Sequence, residues 1–172
     1  VGVALNIAEV QAWSGGVNVA LASNGGTALL DSNTQYPVIH PTAQCIDGLT
    51  NNMCHNDHAN PGWLVITFAA GYTIDSVTVY NIVTGFATRT IGATVTLEGC
   101  GNFGQWTSAA LDASAVQTFA VPAVGNTPTP GPTFSLRLDT IGVALNIADV
   151  VACSNGVNVA LASNGGTALL DS

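Results

Sequence analysis

Short segments rich in β-branched residues recur along the chain, mostly with alternating apolar and polar positions and with turn residues between them. They cover residues 63–68, 76–80, 93–97, 116–120, 134–138 and 144–147. A period of two and β-branched residues predict strands. The 19 Gly and 7 Pro residues interrupt the chain every few positions, and no stretch shows the periodicity of a helix. The pattern therefore predicts an all-β fold, an antiparallel sandwich.

One segment of the chain occurs twice. Residues 1–32 return at 141–172, an offset of 140 positions, with 27 of 32 residues identical. Self-similarity at a fixed period is typical of tandem repeats. It predicts that residues 1–15 are the closing strand of a preceding repeat, 16–155 one complete repeat, and 156–172 the opening of the following repeat. A hairpin duplicated within a single domain is the alternative.

Charged side chains are scarce. The 172 residues include two basic and ten acidic ones, for a net charge of -8, whereas roughly a quarter of a typical domain is charged. Without a basic patch, neither nucleic acid nor an anionic membrane surface is an expected partner. No run of 18 apolar residues occurs, so membrane insertion is not expected. Instead, so few charges indicate a surface covered by neighbouring domains, other strands or glycans.

The four cysteines are Cys45, Cys54, Cys100 and Cys153. An even number in a weakly charged chain favours disulfides in an oxidising, extracellular compartment, with metal ligation or free thiols as alternatives. Residues 54–58, Cys-His-Asn-Asp-His, contain side chains that bind zinc, yet no fourth ligand follows at a defined spacing. A Cys45–Cys54 disulfide explains Cys54 more simply and leaves Cys100 and Cys153 as a second pair, although spacing does not fix the connectivity.

Several motifs stand in an order that is familiar from one superfamily. They are Asn-Val-Ala-Leu at 18–21, Cys-Ile-Asp-Gly at 45–48, Trp-Leu-Val-Ile-Thr-Phe at 63–68, and the segments 74–81, 89–97 and 145–150. Together they resemble the discoidin, or coagulation-factor C-type, domain, and most closely its fucolectin branch. The resemblance covers about residues 17–152. It implies an eight-stranded jelly-roll sandwich that binds ligands and has no catalytic role.

The resemblance also implies a sugar site. Fucose-binding relatives use one His and two Arg, whose guanidinium groups donate to sugar hydroxyls. His55 lies eight residues before Trp63, as in the family pattern, and Arg89 takes the place of the second Arg. Ile82 stands where the first Arg is expected, so one cationic donor is absent. The alternative role of Arg89 is that of a structural cation that closes a loop.

A calcium ion is the cofactor that the resemblance implies, bound by Asp47 and Asp149, since calcium takes six to eight oxygen ligands. By strand alternation Asp149 shares a face with the apolar residues two and four positions before it, and Glu9 repeats this arrangement in the first copy. Capping of backbone amides is the alternative role for both aspartates.

Motifs of catalysis are missing, including a nucleophile elbow, a phosphate-binding glycine loop with Lys and a zinc-protease helix. An enzyme is therefore not expected. The repeat and the low charge predict a structural unit of an extracellular fibre or surface appendage, whose domains associate with copies of themselves and with neighbouring repeats. The alternative function is a carbohydrate-binding lectin that binds glycans through multivalency.

Overall fold

A computed structural model of the chain describes residues 4–31, 33, 36–57, 62–69, 72–99, 106–122, 133–139, 153–154 and 157–158. Strands account for most of the regular structure in these residues, and none of their helices is an α-helix. None of these helices has the length and apolar character that crossing a bilayer requires.

The strands are β1 (Asn6–Ser14), β2 (Val17–Asn18), β3 (Thr27–Leu30), β4 (Cys54–His55), β5 (Trp63–Ala69), β6 (Ser76–Asn81), β7 (Thr94–Gly99), β8 (Trp106–Thr107), β9 (Val116–Ala120), β10 (Thr133–Asp139), β11 (Cys153–Ser154) and β12 (Val157–Asn158). Three short 3₁₀ helices, η1 (Ala22–Asn24), η2 (Thr42–Cys45) and η3 (Ala87–Thr90), lie between them. The predicted all-β class is confirmed, and β5, β6, β7, β9 and β10 match five predicted strands. The sixth, at 144–147, lies outside the described residues.

The strands form three antiparallel sheets. The first has the order β2-β1-β6-β9, with β4 also paired to β1; the second has the order β3-β5-β10-β7-β8; β11 and β12 pair with each other. About eight strands were expected. In the described residues seven strands have four or more residues, and two-residue strands supply the rest.

The two larger sheets contribute to one apolar core. Its side chains come from β1 and β6 of the first sheet and from β5 and β7 of the second, and each is no more than 1% exposed: Ile7, Val10, Val77, Val79, Leu64, Ile66, Phe68, Val95 and Leu97. Burial of this kind is the main stabilising contribution to a sandwich-like fold.

Strand β1 contains an irregularity that changes which residues face the core. The pairing of β1 with β6 shifts between Ile7 and Glu9, so that Glu9 lies opposite Tyr80 and Val10 opposite Val79. A residue inserted by a bulge moves the residues after it to the other face. The apolar face therefore continues from Ile7 to Val10, and the prediction that Glu9 shares the face of Ile7 is wrong.

The disulfide between Cys45 and Cys54 is confirmed, and it joins the end of η2 to β4 across a Cα–Cα distance of 5.2 Å. Because both sulfur atoms are bonded to each other, the alternative in which Cys54 binds zinc is wrong. Cys100 lies outside the described residues, so its pairing with Cys153 stays a prediction.

The repeat boundaries at 15/16 and 155/156 also stay predictions. In this structure β1 belongs to the same sheet as β6 and β9 of its own chain. The second copy contributes β11 and β12 to the described residues.

Candidate functional site

His55 and Arg89, the two residues that the sequence assigns to a sugar site, lie next to each other. Arg89 is in the last turn of η3 and His55 is in β4, and Arg89 Nη1 is 3.5 Å from His55 Nε2. The same Nη1 donates a hydrogen bond of 2.5 Å to Asn6 Oδ1. The guanidinium carbon lies 4.3 Å from the ring centroid of Phe86, a cation–π contact. Part of the Arg89 side chain is thus engaged within the fold.

Two aromatic rings from the 36–40 segment surround His55. Tyr36 meets it edge to face at 5.1 Å between ring centroids, and His40 stacks on it at 6.1 Å. These rings and Phe86 place flat apolar surfaces beside polar groups, a combination that suits the two kinds of surface on a sugar.

His55 is biased toward its neutral form. Burial lowers the pKa of His55, and the charge of Arg89 and the nearby His40 lower it further, against smaller opposing effects of Asp57 and Asn56. Because Arg89 can only donate, a hydrogen bond between the two groups requires Nε2 to accept, which places the proton of the neutral ring on Nδ1. In the described part of the chain Nδ1 forms no hydrogen bond of normal geometry.

A cleft of about 410 Å³ opens beside this cluster, with His40 and Phe86 in its wall. Ile82, which stands at the expected position of the first arginine, lines the cleft and makes that wall apolar. Three carboxamide oxygens, of Gln44, Asn52 and Asn81, also belong to lining residues, and each is buried without a hydrogen-bond partner among the described residues.

Asp47, the first predicted calcium ligand, is engaged in its own loop. Its Oδ1 accepts the backbone N–H of Leu49 at 2.9 Å, and its Oδ2 accepts Asn52 Nδ2 at 2.6 Å. This is the amide-capping role that the sequence left open for Asp47. Asp149 lies outside the described residues, and its counterpart in the first copy is Glu9.

Glu9 is fully buried next to Asp47. Its Oε1 accepts the Gly48 N–H at 3.2 Å, while Oε2 has no partner within the described residues. Burial raises the pKa of Glu9 to about 8, and the Asp47 charge raises it too, although hydrogen bonds with the Gly48 and Asp47 backbone oppose the increase. The carboxyl group is therefore largely protonated at neutral pH.

Calcium binding by Asp47 and Asp149 stays a prediction. No cluster of three or more His, Cys, Asp or Glu side chains occurs in the part of the chain that the structure describes. Calcium would therefore draw most of its six to eight oxygens from backbone carbonyls and water.

Two residues that matter at this site were not predicted from the sequence. Asn6 is fully buried in β1 and accepts from Arg89, and Asn56 Oδ1 accepts the Leu5 N–H at 2.5 Å. Asn56 Nδ2 donates to Asp31 Oδ1 at 2.9 Å. The available signal was the polar Asn6 between the apolar Leu5 and Ile7, because a buried amide requires hydrogen-bond partners.

Comparison with protein-family models, with curated proteins and with solved structures finds no match to this chain. The resemblance to discoidin domains thus rests on the order of the motifs.

Proposed function

We propose that the chain is a structural repeat unit of an extracellular fibre or surface appendage, in which tandem β-sandwich domains associate with one another. The main support for this proposal is that residues 1–32 recur at an offset of 140 positions with 27 of 32 residues identical. Motif order supports a finer description of each domain as a discoidin-like jelly roll. The Cys45–Cys54 disulfide supports an oxidising, extracellular location.

The surface is consistent with contacts between copies. Large apolar side chains are exposed at several places, among them Val38 at 88%, Ile39 at 66% and Leu29 at 60%. With 12 charged residues in the chain, two acidic copies repel each other weakly once salt screens the net charge of -8. Association through such surfaces is expected to be driven by apolar burial.

Negative-stain microscopy and analytical ultracentrifugation of the full chain test this function. We expect filaments or oligomers whose size grows with protein concentration and is maintained or increased by sodium sulfate, which strengthens apolar burial. Dispersed single particles at every concentration would overturn the proposal.

The second candidate function is carbohydrate binding, favoured by the contact of His55 with Arg89 beside a cleft lined by the amide side chains of Gln44, Asn52 and Asn81. Amide side chains can both donate to and accept from sugar hydroxyls. A glycan array with and without a calcium chelator tests it. Binding should weaken in Gln44→Leu and persist in Gln11→Ala, which changes a residue outside the cleft; an array without any bound glycan removes this function.

A further inference from the structure

The first copy of the duplicated segment occupies a defined slot in the fold. Residues 4–31, here named the resident segment, supply β1, β2 and β3. Strand β1 pairs with β4 and β6, β2 pairs with β1, and β3 pairs with β5. The remaining described strands of the two large sheets, β4 to β10, are named the body. The slot is the place on the body that the resident segment fills. Residues 144–171 are named the second copy.

Every buried position of the resident segment but one carries the same residue in the second copy. The identical positions are Leu5, Asn6, Ile7, Ala8, Val10, Ala12, Asn18, Val19, Ala20, Gly26 and Leu30, each repeated 140 positions later. The exception is Glu9, which becomes Asp149 and keeps a carboxyl group. The apolar contacts that hold the resident segment are therefore also available to the second copy.

The second copy also carries the groups that make polar contacts with the body. Asn56 of the body binds the Leu5 backbone on both sides, accepting its N–H at 2.5 Å and donating its own N–H to the Leu5 carbonyl at 3.2 Å. Arg89 of the body donates to Asn6. Leu145 and Asn146 present the same groups in the second copy. Because unpaired buried polar groups are costly, these contacts select for this sequence over an unrelated apolar strand.

The substitutions outside the core also fit the slot. Gly15 and Gly16 form the two-residue turn between β1 and β2 with φ of 54° and 83°. The second copy has Asn155-Gly156, and Asn-Gly is the preferred pair for a hairpin turn that needs two positive φ angles. The other changes fall at half-buried Gln11 and Trp13.

The second copy also forms the same local hairpin. Cys153 pairs with Asn158 and Ser154 with Val157, the register in which Trp13 pairs with Asn18 and Ser14 with Val17. In this structure that hairpin is a separate two-stranded sheet while the resident segment fills the slot. The described residues thus contain the resident segment in its slot and four residues of a second copy whose sequence matches it.

We propose that the slot is an exchange site, in which the second copy of one chain replaces the resident segment of another copy of this chain. The inference rests on the proposed structural function, since it names the contact through which the units associate. Exchange of an identical element between protomers is a low-cost route to assembly, because the buried contacts already exist in the single chain. A head-to-tail exchange that does not close extends into a filament.

Matched variants in the two copies of the full chain test the exchange. Ile7 and Ile147 are the same residue in the two copies, and Ile7 is fully buried. Ile7→Asp should expel the resident segment and leave the slot open, so the chain should stay folded as oligomers closed by the second copy. Ile147→Asp should keep the single-chain fold and lose exchange, and the double variant should lose its cooperative thermal transition. If Ile7→Asp loses its cooperative thermal transition as the double variant does, the proposal is overturned.

A disulfide trap identifies which chain supplies the segment. Ser76 lies opposite Trp13, and the residue equivalent to Trp13 in the second copy is Cys153. Residues opposite each other in antiparallel strands are within disulfide distance. In a Cys100→Ser background, Ser76→Cys refolded at increasing concentration should form a growing fraction of interchain disulfide with Cys153. Thr118→Cys, in β9 opposite Thr78, is the control and should not link to Cys153.

The outcomes separate this inference from the proposed function. An intrachain disulfide to Cys153, or none at any concentration, overturns the exchange, and filaments seen in the same samples would leave the structural function standing. Interchain disulfides confined to closed dimers would support the exchange and count against the fibre.

Discussion

The guanidinium of Arg89 is hydrogen-bonded to Asn6, a fully buried residue of β1 that lies 83 positions away in sequence. Arg89 Nη1 donates to Asn6 Oδ1 at 2.5 Å, which ties η3 to β1. A charged donor to a buried amide is one of the stronger hydrogen bonds in a protein. One of the chain's two basic side chains is therefore part of what holds the first strand in place.

Arg89→Ala should destabilise the fold. Removing the donor leaves the buried Asn6 Oδ1 without its partner, at a cost of about 1–3 kcal/mol. Chemical denaturation of wild type, Arg89→Ala, Asn6→Ala and the double variant gives a double-mutant cycle. We expect a coupling energy of about 1 kcal/mol or more, and additive single effects would contradict a direct bond.

The raised pKa of Glu9 predicts how stability depends on pH. In the folded state the pKa is about 8, above the ordinary 4.5, so between these values the folded chain holds more protons on Glu9 than the unfolded chain. The stability that protonated Glu9 contributes should therefore be fully present below pH 4.5 and should be lost as the pH rises to about 8. Glu9→Gln keeps an oxygen for the Gly48 N–H and removes this ionisation.

The free energy of unfolding of Glu9→Gln relative to wild type should thus increase from about pH 5 to about pH 9, by about 2–4 kcal/mol. Urea denaturation at several pH values measures it. Asp112→Asn is the control, because a hydrogen bond from Ser114 lowers the pKa of this exposed residue and its ionisation is complete across that range. Curves for Glu9→Gln and wild type that stay parallel would rule out a raised pKa for Glu9.

The sequence predicted the strands well where the local pattern was strong. Five segments with β-branched alternation, such as residues 76–80 and 116–120, are strands in the structure. It missed β3 (Thr27–Leu30), a short strand next to a Gly-Gly turn. Of the Asn-Val-Ala-Leu motif at 18–21 only Asn18 belongs to a strand: β2 ends there, and the Asn18 side chain accepts the N–H groups of Ala12 and Ala20. A side chain that bonds to nearby backbone competes with strand pairing.

The site was predictable in part, since the structure brings His55 and Arg89 together as the motif order implied. The orientation of Glu9 was not, because one inserted residue in β1 reverses the alternation after it, and a bulge depends on pairing with a distant strand. The role of Asn6 likewise depends on Arg89, which only tertiary structure places beside it.

Removing the Cys45–Cys54 disulfide should lower stability. The bond closes a loop over a sequence separation of nine, and cross-links of that size contribute roughly 2–3 kcal/mol. Chemical denaturation of the double variant Cys45→Ala, Cys54→Ala measures the loss. Reductant should destabilise wild type but leave this variant unchanged unless a second disulfide is present, and Cys100→Ala separates that contribution.

Gly26→Ala should be among the most damaging single substitutions in the resident segment. A Cβ at Gly26 would lie 1.9 Å from the carbonyl oxygen and 2.5 Å from the carbonyl carbon of Ala20. Both atoms are backbone, so no side chain can move aside, and the turn that leads into β3 must shift. We expect a loss of about 3 kcal/mol or more.

Gly25→Ala is the neighbouring control. Gly25 has a φ of 90° but nothing within 4 Å of its Cβ position, so it should cost only about 1 kcal/mol through backbone strain. Thermal denaturation of the two variants should therefore show a much larger decrease in Tm for Gly26→Ala. Equal decreases would mean that the close approach of Gly26 to Ala20 does not constrain the fold.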